Sequence, residues 1–86
     1  MPIPLNITRQ HILQAIAKIN VDGVPPKRGA RRWALQYEDT LYPCKLVISW
    51  ANIFANNQEL NPNPNIFTTD NAQEYLTSKQ FLIVNI

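Results

Sequence analysis

A chain of 86 residues makes one domain with one modest core, because folding at this size buries roughly 60% of the surface that the unfolded chain exposes. Its apolar content of 45% is spread periodically, without the run of about 18 apolar residues that a membrane-spanning helix needs, and Met-Pro-Ile-Pro-Leu-Asn has no secretory-signal pattern. One cysteine and one histidine exclude an internal disulfide and a structural zinc cluster, and the formal charge of +2 matters less than its distribution.

The spacing predicts a first helix over Arg9–Asp22. Thr8 suits the N-cap, and Ile7 can staple onto Ile12, while Ile12, Leu13, Ile16 and Ile19 share one face. Gly23 is positioned for a left-handed C′ residue that would set Val24 against Ile19 in a Schellman closure. His11, at the third helical position, has no nucleophile or ligand partner at useful spacing and reads as a capping or solvated residue.

Pro25-Pro26 ends any further helix and launches the stretch Lys27-Arg28-Gly29-Ala30-Arg31-Arg32, which holds four of the eight cationic side chains and no acid. Trp33, Leu35 and Tyr37 then alternate with Ala34, Gln36 and Glu38, the period of a half-buried strand with Trp33 inward. A turn is expected near Asp39-Thr40, which would set Tyr42 across from Tyr37, with Leu41-Tyr42 as a short return strand. Pro43 suits the first position of a second helix ending near Asn56, since its missing N–H is not needed there. Leu46, Val47, Trp50, Ile53 and Phe54 give this helix a broad apolar face, and Ile48 on the opposite side predicts cover from both directions.

Residues 57–68 form an Asn/Pro loop with Leu60, Ile66 and Phe67 as expected anchors. A third helix is expected from a cap at Thr69 or Asp70 to about Lys79, with Ala72, Tyr75 and Leu76 inward. Phe81-Leu82-Ile83-Val84 reads as a buried strand. The fold class is therefore α+β, three helices with a small three-stranded sheet in the order α-β-β-α-α-β.

Clustered cations without acids point to an anionic partner, and nucleic acid is the first expectation. Lys27, Arg28, Arg31 and Arg32 would meet the phosphate backbone. Lys45 lies in the first turn of the second helix, where unpaired N–H groups and the helix dipole favour anions. Tyr42, like Trp33, is an aromatic near this edge that could stack on a base if exposed. Cys44, beside Lys45 in a helix first turn, has surroundings that could lower a thiol pKa. The six acids are scattered without metal-site spacing, so no catalytic residue, metal or cofactor is expected.

The succession Ile7-Thr8, His11-Ile12-Leu13, Ala15-Ile16, Gly23-Val24-Pro25-Pro26, Arg28, Tyr42-Pro43, Lys45, Val47-Ile48 and Ala51 resembles the amino-terminal head domain of McrA-like modification-dependent restriction endonucleases. The resemblance covers nearly the whole chain. Gly-Val-Pro-Pro followed, after a hairpin, by Tyr-Pro-x-Lys is its most specific part. Cys44 stands where a second proline is common, Gly29-Ala30 replaces a more polar pair, and Gln80 takes the place of a usual glycine. The resemblance implies a module of a DNA-restriction or defence protein, and the lack of a membrane-spanning or secretory pattern leads to the expectation that it is cytoplasmic. Its partners would be double-stranded DNA, plain or modified, and the other domains of a larger restriction protein, with no nuclease activity in these residues. The competing expectation is a protein-interaction or oligomerisation module that positions other domains.

Overall fold

The computed structural model describes residues 3–30 and 32–86, and Arg31 of the basic stretch lies outside the described residues. The elements are α1 (Arg9–Asp22), β1 (Trp33–Tyr37), β2 (Thr40–Pro43), α2 (Cys44–Asn56), α3 (Thr69–Ser78) and β3 (Leu82–Asn85). Three helices and an antiparallel sheet of order β2-β1-β3 make the α+β fold that the periodicities predict. No helix of the described residues is long and apolar enough to cross a membrane.

α2 is the axis of the core. It touches α1, α3, β1 and β2, and the continuous run from Leu46 to Asn52 is buried. Ile48 and Trp50, on opposite sides of the helix, are both covered, as expected from their spacing. Ile7 and Ile12 are fully buried together at the start of α1, and Leu35, Tyr42 and Ile83 form a cross-strand row on the sheet's inner face.

The helix starts follow hydrogen-bond chemistry. Thr8 Oγ1 accepts from the His11 N–H while His11 Nδ1 accepts from the Thr8 N–H, a closed capping box that gives the single histidine its role. Thr68, one residue before the expected cap, does the same with Asn71 for α3. Thr8→Ala and Thr68→Ala should each lower stability by about 1 kcal/mol in urea denaturation. A change below about 0.2 kcal/mol would show the caps to be energetically silent.

The helix ends differ from expectation. Gly23 has a positive φ of 80°, but its ψ of 176° is extended, and only its N–H bonds back, to the Ile19 carbonyl. Val24 is consequently exposed rather than folded onto Ile19. The Schellman closure occurs after α3 instead. Gln80 is left-handed at φ 69°, its N–H bonds to the Thr77 carbonyl, and the Phe81 N–H bonds to the Leu76 carbonyl, with Phe81 and Leu76 both in the core.

Three strand assignments need correction. The turn is Glu38-Asp39, not Asp39-Thr40: both residues have positive φ (49° and 66°), as a two-residue hairpin turn requires for its twist to match the strands. The register is therefore Tyr37↔Thr40 and Leu35↔Tyr42, and Pro43 ends β2 as the N-cap of α2 instead of opening the helix. Trp33 is 41% exposed, because β2 ends opposite Ala34 and leaves the first residue of β1 uncovered on that side. β3 is an edge strand, not a buried one, and its Leu82 faces out while Phe81 just before it packs inward.

Candidate functional site

The basic stretch begins with a tight turn. The Arg28 N–H bonds to the Pro25 carbonyl at 3.1 Å, with Pro26 and the left-handed Lys27 (φ 66°) at the two central positions, as in a type II turn. Proline sets the first of these conformations and the closing hydrogen bond stabilises the second. The turn leaves Lys27 exposed and carries Arg28 inward.

On the opposite side, the Asn/Pro loop is built from its own side chains. Asn61 Oδ1 accepts from the Asn63 N–H and Asn63 Oδ1 from the Asn65 N–H, both at 2.9 Å, so consecutive Asx turns hold a segment that lacks helix or strand. Phe67 is fully buried and Leu60 packs against the core, whereas Ile66 is exposed and is not an anchor. The loop is also tied to α2. The Leu60 N–H reaches the Ser49 carbonyl, and the buried Asn52 side chain donates to the Gln58 carbonyl at 2.9 Å.

Between these two loops lies a cleft of about 500 Å³. Lys27, Arg28, Gly29 and Ala30 line one side, Pro62, Pro64 and Thr69 another, and Pro43, Cys44 and Lys45 at the start of α2 complete the lining. Among the described residues, three that line the cleft are cations and none is an acid.

The cations differ in freedom. Lys45 Nζ donates to the Pro62 carbonyl at 2.5 Å and sits 4.7 Å from the centre of the Phe67 ring. Burial lowers its pKa from the ordinary lysine value, and the positive charge of Arg28 adds to that effect. Arg28, with a side chain 21% exposed, reaches Glu59 through Nη1 at 3.4 Å, while its buried Nη2 has no partner among the described residues. Glu59 is held from behind by Trp50, whose Nε1 donates to its other oxygen at 2.9 Å. Lys27 makes no ion pair among the described residues.

The structure thus gathers Lys27, Arg28 and Lys45 and separates the other expected contacts. Arg32 is exposed at the entry to β1 and does not line the cleft. Because Tyr42 pairs with Leu35, Arg32 lies three residues from that crossing, roughly 10 Å at the usual strand rise. Tyr42 must be withdrawn as a stacking residue. It is 4% exposed, and its hydroxyl donates to Asn20 Oδ1 at 2.9 Å, tying β2 to α1.

Cys44 likewise reverses the expectation of a lowered pKa. Burial raises its thiol to about 11, outweighing the hydrogen bonds from the backbone N–H groups of Cys44 and Leu35. Sequence reasoning missed Glu59, Pro62, Pro64 and Thr69. The alternating Asn-Pro pattern was the available signal that this loop folds back on itself. No group of three or more His, Cys, Asp or Glu among the described residues could hold a metal ion. Comparison with known protein families, curated proteins and solved structures finds no match.

Proposed function

We propose that this chain is a DNA-binding module, acting as part of a modification-dependent restriction or defence protein, that contacts the phosphate backbone through its basic loop and the start of α2. The observation that carries the reading is the convergence of Lys27, Arg28 and Lys45 on one cleft without a lining carboxylate, with Arg32 exposed at the entry to the adjoining strand. Phosphate contact needs accessible cations, and Lys27 and Arg32 are exposed. Arg28 and Lys45 add charge from within the cleft. The restriction context rests on the sequence resemblance.

Replacing Lys27, Arg28, Arg31 and Arg32 together with glutamine should reduce the slope of log affinity against log salt on duplex DNA by about 3.6, at about 0.9 per phosphate contact. Lys45→Ala should remove roughly one further contact's worth of slope. Fluorescence anisotropy at several salt concentrations measures both. Unchanged affinity and slope in the quadruple variant would reject the reading. Plain and modified duplexes measured side by side separate backbone positioning from base recognition.

One observation favours a second reading, a protein-interaction module. Leu41, Leu82 and Ile86 are each about half exposed, leaving apolar surface on the sheet strands and just beyond β3. A parent protein that binds no nucleic acid at low salt would shift the assignment to that reading.

A further inference from the structure

The shape of the cleft says more about its ligand than the charge alone. A volume of about 500 Å³ lies within the range of small-molecule pockets, about 300–1,000 Å³, and suits one nucleotide rather than a stretch of duplex. The Lys27–Ala30 and Pro62–Pro64 segments flank this space on two sides. An internal phosphodiester has a nucleotide on each side that must leave such a space again, whereas a strand end has only one.

The charge pattern points the same way. A phosphodiester carries one negative charge, while a terminal phosphomonoester carries about −1.5 to −2 at pH 7 and presents three acceptor oxygens. Lys27, Arg28 and Lys45 together match the larger charge. Arg28 is also incompletely satisfied where it stands. Its Glu59 contact is long at 3.4 Å and its buried Nη2 has no acceptor among the described residues, so exchanging Glu59 for a phosphate oxygen replaces a weak arrangement with a stronger one. Glu59 does not lose its anchor when Arg28 leaves, because Trp50 Nε1 continues to hold it.

Resting on the DNA-binding reading, we propose that the cleft receives the terminal phosphomonoester of a nucleic-acid strand, gripped by Lys27, Lys45 and an Arg28 that moves from Glu59 onto the phosphate. Lys27 and the neighbouring exposed Arg32 then follow the adjoining backbone.

The test compares one oligonucleotide sequence carrying a 5′-phosphate, a 3′-phosphate or hydroxyls at both ends, together with a covalently closed circular duplex and inorganic phosphate. Affinity is read by anisotropy or competition. Trp50 emission, measured in a Trp33→Phe background, reports the change at Glu59. A phosphorylated end should bind about tenfold or more tightly than the hydroxyl form, the equivalent of one charge-assisted hydrogen bond.

Arg28→Gln should abolish that preference. Thr69→Glu should abolish it too, and it guards against misfolding as an explanation, since it places a carboxylate in the lining at the first position of α3, where the helix dipole accepts one. The preferred end, 5′ or 3′, identifies the polarity of the bound strand. Equal affinity for phosphorylated and hydroxyl ends, with closed circles bound as well, would overturn the inference and leave backbone binding standing. A preference that survives both substitutions would remove it from this cleft. A Trp50 response to inorganic phosphate at concentrations where no oligonucleotide produces one would overturn it in favour of a free-phosphate site. Failure of every nucleic acid to bind would reject this inference and the DNA-binding reading together.

Discussion

Phe67→Ala is expected to cost about 3–5 kcal/mol of folding stability, read as a fall in the urea midpoint with little change in its slope dependence. The ring is 1% exposed, so truncation leaves a cavity as well as losing buried apolar surface. Domains have about 5–15 kcal/mol in total, so the loss takes a large share of this one's stability. Phe67 also fixes the Asn/Pro loop at its α3 end and offers its face to Lys45. The variant should therefore loosen the Pro62–Pro64 wall of the cleft before the domain as a whole unfolds, visible as faster amide exchange in residues 60–66. A loss below about 1 kcal/mol would be incompatible with the burial described here.

Cys44 should be chemically inert in the folded protein. A thiol raised from 9.0 to about 11 has on the order of a hundredfold less thiolate at neutral pH, and the thiolate is the reactive form. Reaction with a disulfide reagent at pH 8 should therefore be at least about a hundredfold slower in the native protein than in urea, with burial adding to the difference. Folding holds the proton on this sulfur. Cys44 consequently contributes stability that is complete below about pH 9 and is lost as pH rises from there through about 11, where the unfolded thiol ionises ahead of the folded one. Cys44→Ser should remove that alkaline dependence. Native labelling at the rate of the unfolded chain would show the sulfur to be accessible and its pKa ordinary.

Helices and strands were legible where a local pattern and the tertiary environment agree. The Ile7–Ile12 pair and the Thr8 cap settle α1 within a dozen residues, and Ile48 opposite Trp50 correctly announces a helix covered on both sides. Errors arose where a neighbour decides. Trp33 has the alternation of a core residue, yet on the side away from β3 no strand continues beside it once β2 gives way to α2. Leu82 has the composition of a buried strand but lies on the sheet's edge. Gly23 and Gln80 exchange roles for a different reason: a glycine permits a left-handed conformation but does not require a Schellman closure, while the burial of Phe81 favours that closure at a glutamine.

At the candidate site, the clustering of Lys27 and Arg28 and the position of Lys45 could be read directly from the chain. Their differing freedom could not, because it comes from Glu59, Pro62 and Phe67, which reach them only through the folded loop. Tyr42 was misplaced by two residues of hairpin register. Shifting the turn from Asp39-Thr40 to Glu38-Asp39 puts the tyrosine opposite Leu35, where its hydroxyl reaches Asn20 inside the fold.

The strand order carries a consequence for how the molecule is made. β1 is the centre of the sheet, but one of its two neighbours comes from the other end of the domain, with Trp33 opposite Asn85. As the polypeptide leaves the ribosome, β1 can pair with β2 across a two-residue turn while its other side waits for α2, α3 and β3 to be synthesised. During that interval the unpaired N–H and C=O groups of β1 form an open edge, a template on which another nascent chain can add. The pairing that closes this edge spans about fifty residues and must overcome a larger loop entropy than the hairpin, so sheet completion is expected to be a late event in folding.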